Sequence, residues 1–152
     1  MKTTKRFDMA VKKLYTAFHE NTLNPECCTA CAVGNILDNN DVWKNFTDCH
    51  GSSKLTYVGQ VNEAFGKRFN GYTPAELLNI EAIFLGACGF KLPLMQGSKR
   101  PINPTDPNIL FNGLEATIDY LCRIDGIENI MDYSKIFIEE VLKKNETTSQ
   151  VA

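Results

Sequence analysis

Three of the six cysteines stand within five residues: Cys27, Cys28 and Cys31. That spacing concentrates thiols without help from the tertiary fold, and thiols do two kinds of chemistry here. Cys28-x-x-Cys31 has the spacing of metal ligands, and Cys49-His50 could complete a set of four from the next loop. Zinc or an iron–sulfur cluster would be the cofactor of such a site. Alternatively Cys27, Cys28 and Cys31 are reactive thiols, with Cys27 or Cys28 activated by His19 or His50. Only two histidines exist, so a Cys–His pair has few ways to form. The plain alternative is packing, since a buried cysteine behaves as a small hydrophobe. Cys88 and Cys122, on apolar helix faces, fit that reading.

The element that must position the cluster reads as a helix. Asn24 is a good N-cap, Pro25 suits the first helical position, and Glu26 places negative charge in the first turn. On this reading Cys27 and Cys28 fall in the first turns, and Cys31 shares a face with both. Thiols near a helix N-terminus have lowered pKa values and react faster. Gly34 weakens this helix, and Asp38-Asn39-Asn40 ends it.

The whole chain sets bounds. It has 152 residues, 43% hydrophobic and 22% charged, with a formal net charge of −2. That is one ordinary globular domain with a real core. There is no basic block to suggest nucleic acid, and no apolar run long enough to span a membrane. The N-terminal residues run straight into an amphipathic segment without a signal peptide, so a cytoplasmic location with reduced thiols is expected.

Helical periods recur along the chain. Phe7, Val11, Leu14 and Phe18 predict a first helix. Val42, Trp43 and Phe46 predict a short one capped by Asp41, with Trp43 at least partly buried. Residues 47–54 read as a polar loop. Leu55, Val58, Val61 and Phe65 again share a helical spacing, although residues 55–58 also suit a short strand. Thr73-Pro74-Ala75-Glu76 is the clearest helix start, a capping box with proline at the first position. Leu77, Leu78, Ile80, Phe84 and Leu85 make that helix apolar on much of its surface, hence central. Asp106-Pro107 starts a further helix bearing Leu110, Leu114, Ile118, Leu121 and Cys122. A last helix is expected after Asp132, and residues 145–152 read as a polar tail. Glu81-Ala82 and Cys88 recur as Glu115-Ala116 and Cys122, an offset too sparsely supported to be a repeat. Glu76, Glu81 and Glu115 read as a cap and two helix-surface charges rather than paired catalytic carboxylates.

Asn24-Pro25-Glu26-Cys27-Cys28, Cys31-Ala32-Val33-Gly34-Asn35-Ile36-Leu37, Asn70-Gly71-Tyr72-Thr73-Pro74 and Phe111-Asn112-Gly113-Leu114 carry a resemblance. From about Lys13 to about Lys135 the chain resembles small bacterial proteins that share a name with the NADH-oxidising subunit of the sodium-translocating NADH-quinone reductase. True subunits of that type carry a membrane anchor, a ferredoxin-like Cys-x5-Cys-x2-Cys pattern and a flavin- and NADH-binding module. This chain has none of these, so flavin, NADH and sodium transport are not implied. More loosely, Cys31-Ala-Val-Gly-Asn-Ile-Leu37 is similar to small helical bacterial and phage proteins with a Cys-x-Gly-x-Leu core motif. That likeness implies helices and no activity.

The expectation is therefore an all-α bundle of about five to seven helices, one domain over residues 1–144, centred on helices at 74–88 and 107–124. Glycine-rich phosphate loops, His-Glu-x-x-His and Gly-x-Ser-x-Gly are missing, which disfavours an enzyme. A non-catalytic interaction or ligand-binding protein leads, its partner an unidentified protein or small molecule. A metal or thiol-redox protein built on Cys27, Cys28 and Cys31 is the alternative.

Overall fold

Thr4 opens the first helix, its hydroxyl accepting the Phe7 amide at 3.2 Å. α1 then runs Lys5–His19 and buries Phe7, Ala10, Val11, Leu14 and Ala17 along one stripe. In this computed structural model, which describes residues 3–92 and 99–127, the chain is all-α. Among those residues α1 is followed by α2 (Ala32–Ile36), a 3₁₀ helix (Val42–Phe46), α3 (Tyr57–Ala64), α4 (Pro74–Ala87) and α5 (Pro107–Ile124). An antiparallel bridge, Phe69 to Tyr72, marks the turn before α4.

α4 is the centre of the bundle. Its capping box is complete: the Thr73 hydroxyl accepts the Glu76 amide, and the Glu76 carboxylate accepts the Thr73 amide. Behind that start the helix buries Leu77, Leu78, Ile80, Glu81, Phe84 and Leu85, which share one broad face with Glu81 near its middle. It packs most extensively on α5, and also meets α2, α3 and the 3₁₀ helix. α5 is capped by Asp106, whose carboxylate accepts the Asn108 amide at 2.9 Å. The two helices approach closely at Gly113. A Cβ there would collide with the Cys88 sulfur and stand 2.8 Å from the Phe84 ring.

Arg6 ties the ends together. Its guanidinium donates to Asp125 at 2.8 Å, to the Gly71 carbonyl at 2.8 Å and to Glu76 at 3.1 Å, and lies over the Tyr72 ring. One residue of α1 thus fixes the start of α4 and the end of α5.

Three local expectations are corrected. Residues 24–31 are not the first turns of a helix. Asn24 accepts the Glu26 amide with its side chain, an Asx turn, and the helix begins only at Ala32. Asp41 makes no side-chain cap on the 3₁₀ helix, where Asn40 accepts the Val42 amide instead. Residues 55–58 form no strand, because Thr56 caps α3 through the Gly59 amide. Two of the periodic residues face outward, Val58 at 49% and Phe65 at 79% exposure. Gly59 is its one buried residue, so the helix lays its smallest side against the core. The expected helix after Asp132, the tail at 145–152 and the domain end at 144 lie outside the described residues.

Gly113→Ala should destabilise the protein by about 1–3 kcal/mol, because the new methyl has only packed neighbours to push. Urea denaturation measures this, and an unchanged midpoint would mean that α4 and α5 are not packed as described.

Candidate functional site

The cysteine segment is a knot of turns laid on a very short helix. The Cys27 carbonyl accepts the amides of Ala30 at 3.0 Å and Cys31 at 2.8 Å, and the Ala30 carbonyl accepts the Asn24 amide at 2.8 Å. Cys31 then caps α2, its sulfur accepting the Gly34 amide at 3.4 Å. Gly34 is required by this arrangement. A Cβ at that position would stand 2.5–2.8 Å from the backbone of Cys28 and Thr29. α2 ends in two left-handed residues, Asp38 and Asn39, a conformation that short polar side chains tolerate. Lys13 and Asn70 both donate to the Ile36 carbonyl, closing its C-terminus.

Opposite lies the loop after the 3₁₀ helix. Thr56 closes it by donating its amide to the Phe46 carbonyl and its hydroxyl to the Asn45 carbonyl. Inside it Ser52 donates its amide to the Cys49 carbonyl. His50 is held at the top, its ring 5.1 Å from the fully buried ring of Trp43. Trp43 in turn donates its indole N–H to the Cys28 carbonyl at 3.0 Å, joining this loop to the cysteine turn.

The third wall is Glu81 of α4, which is 1% exposed. Its Oε1 accepts the Val33 amide at 3.1 Å, and its Oε2 lies 2.6 Å from His50 Nε2. Cys31, His50 and Glu81 each turn a donor atom toward one point, with all three atoms within 4.8 Å of one another. Three separate elements therefore converge: the cap of α2, the loop and the centre of α4.

The cysteines differ widely. Cys31 is fully buried, and burial followed by the Glu81 charge holds its thiol well above the ordinary value. Cys28 is half-buried, its thiol also raised by burial. Cys27 is half-buried too, but the Thr29 hydroxyl at 3.3 Å, with the turn's amides, lowers its pKa. The cause is a turn rather than the helix terminus expected from the sequence. Cys49 is half-buried in the loop beside His50. His19 lies away from the cluster, edge-on to Tyr15 and Phe18. Cys88 and Cys122 are buried in the core, and burial pushes each thiol up to about 12.

Of the four metal ligands expected from sequence, Cys31 and His50 meet, while Cys28 and Cys49 stand outside the group of three. Glu81 takes a place there, although its position suggested a helix-surface charge. The signal was available: at helical spacing Glu81 falls on the same face as Leu77, Leu78, Ile80, Phe84 and Leu85.

No protein-family model matches the chain, nor does any curated protein or solved structure. No helix among the described residues is long and apolar enough to cross a membrane.

Two outcomes follow. Cys27 should be alkylated first at neutral pH, with Cys31, Cys88 and Cys122 protected until unfolding. Mass spectrometry of the labelled peptides reads the order, and early labelling of Cys31 would contradict its burial. Stability should also fall as pH rises above about 9, the ordinary thiol value. The unfolded chain then releases thiol protons that the folded state retains at Cys31, Cys88 and Cys122, so the folded state binds more protons and loses ground. Denaturation midpoints at pH 7 and pH 10 test this, and equal midpoints would refute it.

Proposed function

We propose that this protein binds a divalent transition metal, zinc by preference, through Cys31, His50 and Glu81. The convergence of those three donor atoms from three elements carries the reading. Thiolate, imidazole and carboxylate are all zinc ligands, and together they suit that borderline-soft ion better than magnesium or calcium, which select oxygen donors. An iron–sulfur cluster is a poorer fit, since such clusters are held by several thiolates and this group contains one.

Electrostatics support the same reading. Burial and the Glu81 carboxylate keep the Cys31 thiol protonated. A bound cation reverses that balance, because a coordinating thiol gives up its proton outright. The role is structural rather than catalytic. Cys31 and Glu81 have almost no exposed surface, which leaves a substrate no route to them. The same burial argues against Cys31 as a nucleophile, which requires an accessible thiolate.

A second reading rests on the hydrogen bonds of Glu81. With Val33 and His50 as partners, it serves as a polar clamp without any metal.

Zinc separates the two. On the metal reading, dialysed protein retains one zinc per chain, and zinc at about a hundred times its dissociation constant adds about 2.7 kcal/mol of stability. Affinity rises with pH as the Cys31 proton is displaced. Cys31→Ser and His50→Ala lose the zinc and the stabilisation together. Protein that takes up no zinc at micromolar concentration, measured by calorimetry, overturns the metal reading and leaves the clamp.

A further inference from the structure

Three donors leave a tetrahedral metal one position short, and the turn that carries Cys31 holds a second thiol, Cys28. We infer that Cys28 supplies a second thiolate, closing the centre as a four-coordinate site of two cysteines, one histidine and one glutamate. This rests on the metal reading of Cys31, His50 and Glu81.

The turn carries the argument. Cys27 accepts amides from Ala30 and from Cys31, so residues 27–31 follow one helix-like turn. Residues three apart on such a turn have Cβ atoms about 5–6 Å apart. Two metal–sulfur bonds of about 2.3 Å bridge that separation with ease, which is why Cys-x-x-Cys recurs in zinc sites. Cys31 already faces the centre, and its thiol donates to the Cys28 carbonyl at 3.5 Å. That carbonyl is fixed by Trp43, whose ring lies against His50, so one side chain sets both ligand-bearing segments. The Cys28 side chain packs against the core, whereas the Cys27 thiol is turned to the Thr29 hydroxyl. A turn about the Cα–Cβ bond of Cys28, between staggered positions, completes the set.

The consequence is a closed centre with no water-bearing position. Structural zinc sites have that form, whereas catalytic ones keep one position open.

Cobalt(II) tests the assignment in the full chain, because its thiolate charge-transfer absorption grows with each sulfur ligand. The wild-type protein should show tetrahedral visible bands with the charge-transfer intensity of two thiolates. Cys28→Ser should still bind cobalt but lose one thiolate's share, and Cys49→Ser should match the wild type. Far-UV circular dichroism confirms that each variant is folded. A one-thiolate spectrum unchanged by Cys28→Ser overturns this inference and leaves the three-residue site standing. Loss of the second share in Cys49→Ser instead also overturns it, by assigning the fourth ligand to the loop. Failure to bind either cobalt or zinc overturns both readings.

Discussion

A buried carboxylate is the constraint on which this structure turns. Glu81 lies 1% exposed on the buried face of the central helix, α4, where an unpaired charge would be strongly destabilising. It is tolerated because two other segments bring partners to it: the Val33 amide at the start of α2 and the His50 ring from the loop. Each partner is irregular or short by itself. α2 has five residues, too few to be stable as an isolated helix, and residues 47–56 contain no regular element. Their positions are therefore set in large part by the need of α4 to satisfy one carboxylate.

The same dependence explains the sequence around the thiols. The cysteine turn packs so closely on α2 that residue 34 has no room for a side chain, and the Gly34 amide then reaches the Cys31 sulfur. Trp43 adds a second tie by filling the space between turn and loop while donating to the Cys28 carbonyl. A large aromatic with one polar atom suits that task, since its ring is buried and its N–H is still partnered. At the start of α1 and α4 Arg6 does comparable work, joining α1 to Glu76 and Asp125. The regular helices are thus tied at one end by a cation and midway along α4 around an anion.

Much of the architecture was legible in the residues. Thr73-Pro74-Ala75-Glu76 and Asp106-Pro107 specify helix starts through local hydrogen bonds alone, and both helices begin where expected. The central pairing followed from apolar periodicity. What failed was the segment at 24–31, where Asn24 and Pro25 are as compatible with an Asx turn as with a helix cap. Local preference could not decide between them, because the outcome depends on the contact between residues 28–29 and Gly34. The spacing of Val58, Val61 and Phe65 located α3 but did not say which surface it meets, because periodicity carries no information about its neighbours. The site itself was half legible. Cys31 and His50 were candidates by type and spacing, but Glu81 lies 31 residues beyond His50 and joins them only through tertiary packing.

Charge decides what such a cluster can do. Burial, and then the Glu81 carboxylate beside it, opposes ionisation of Cys31 and keeps that thiol raised. One imidazole, at 2.6 Å from the carboxylate, is a partner for Glu81 and leaves the thiol neutral. The arrangement is then quiet: a protonated sulfur with no exposure makes a poor nucleophile. A divalent cation placed among the three changes the balance, because it favours thiolate and carboxylate together and requires only a neutral imidazole. The geometry that suppresses thiol reactivity is thus the geometry that favours holding a metal. The thiol whose pKa the turn lowers is instead Cys27, through the Thr29 hydroxyl.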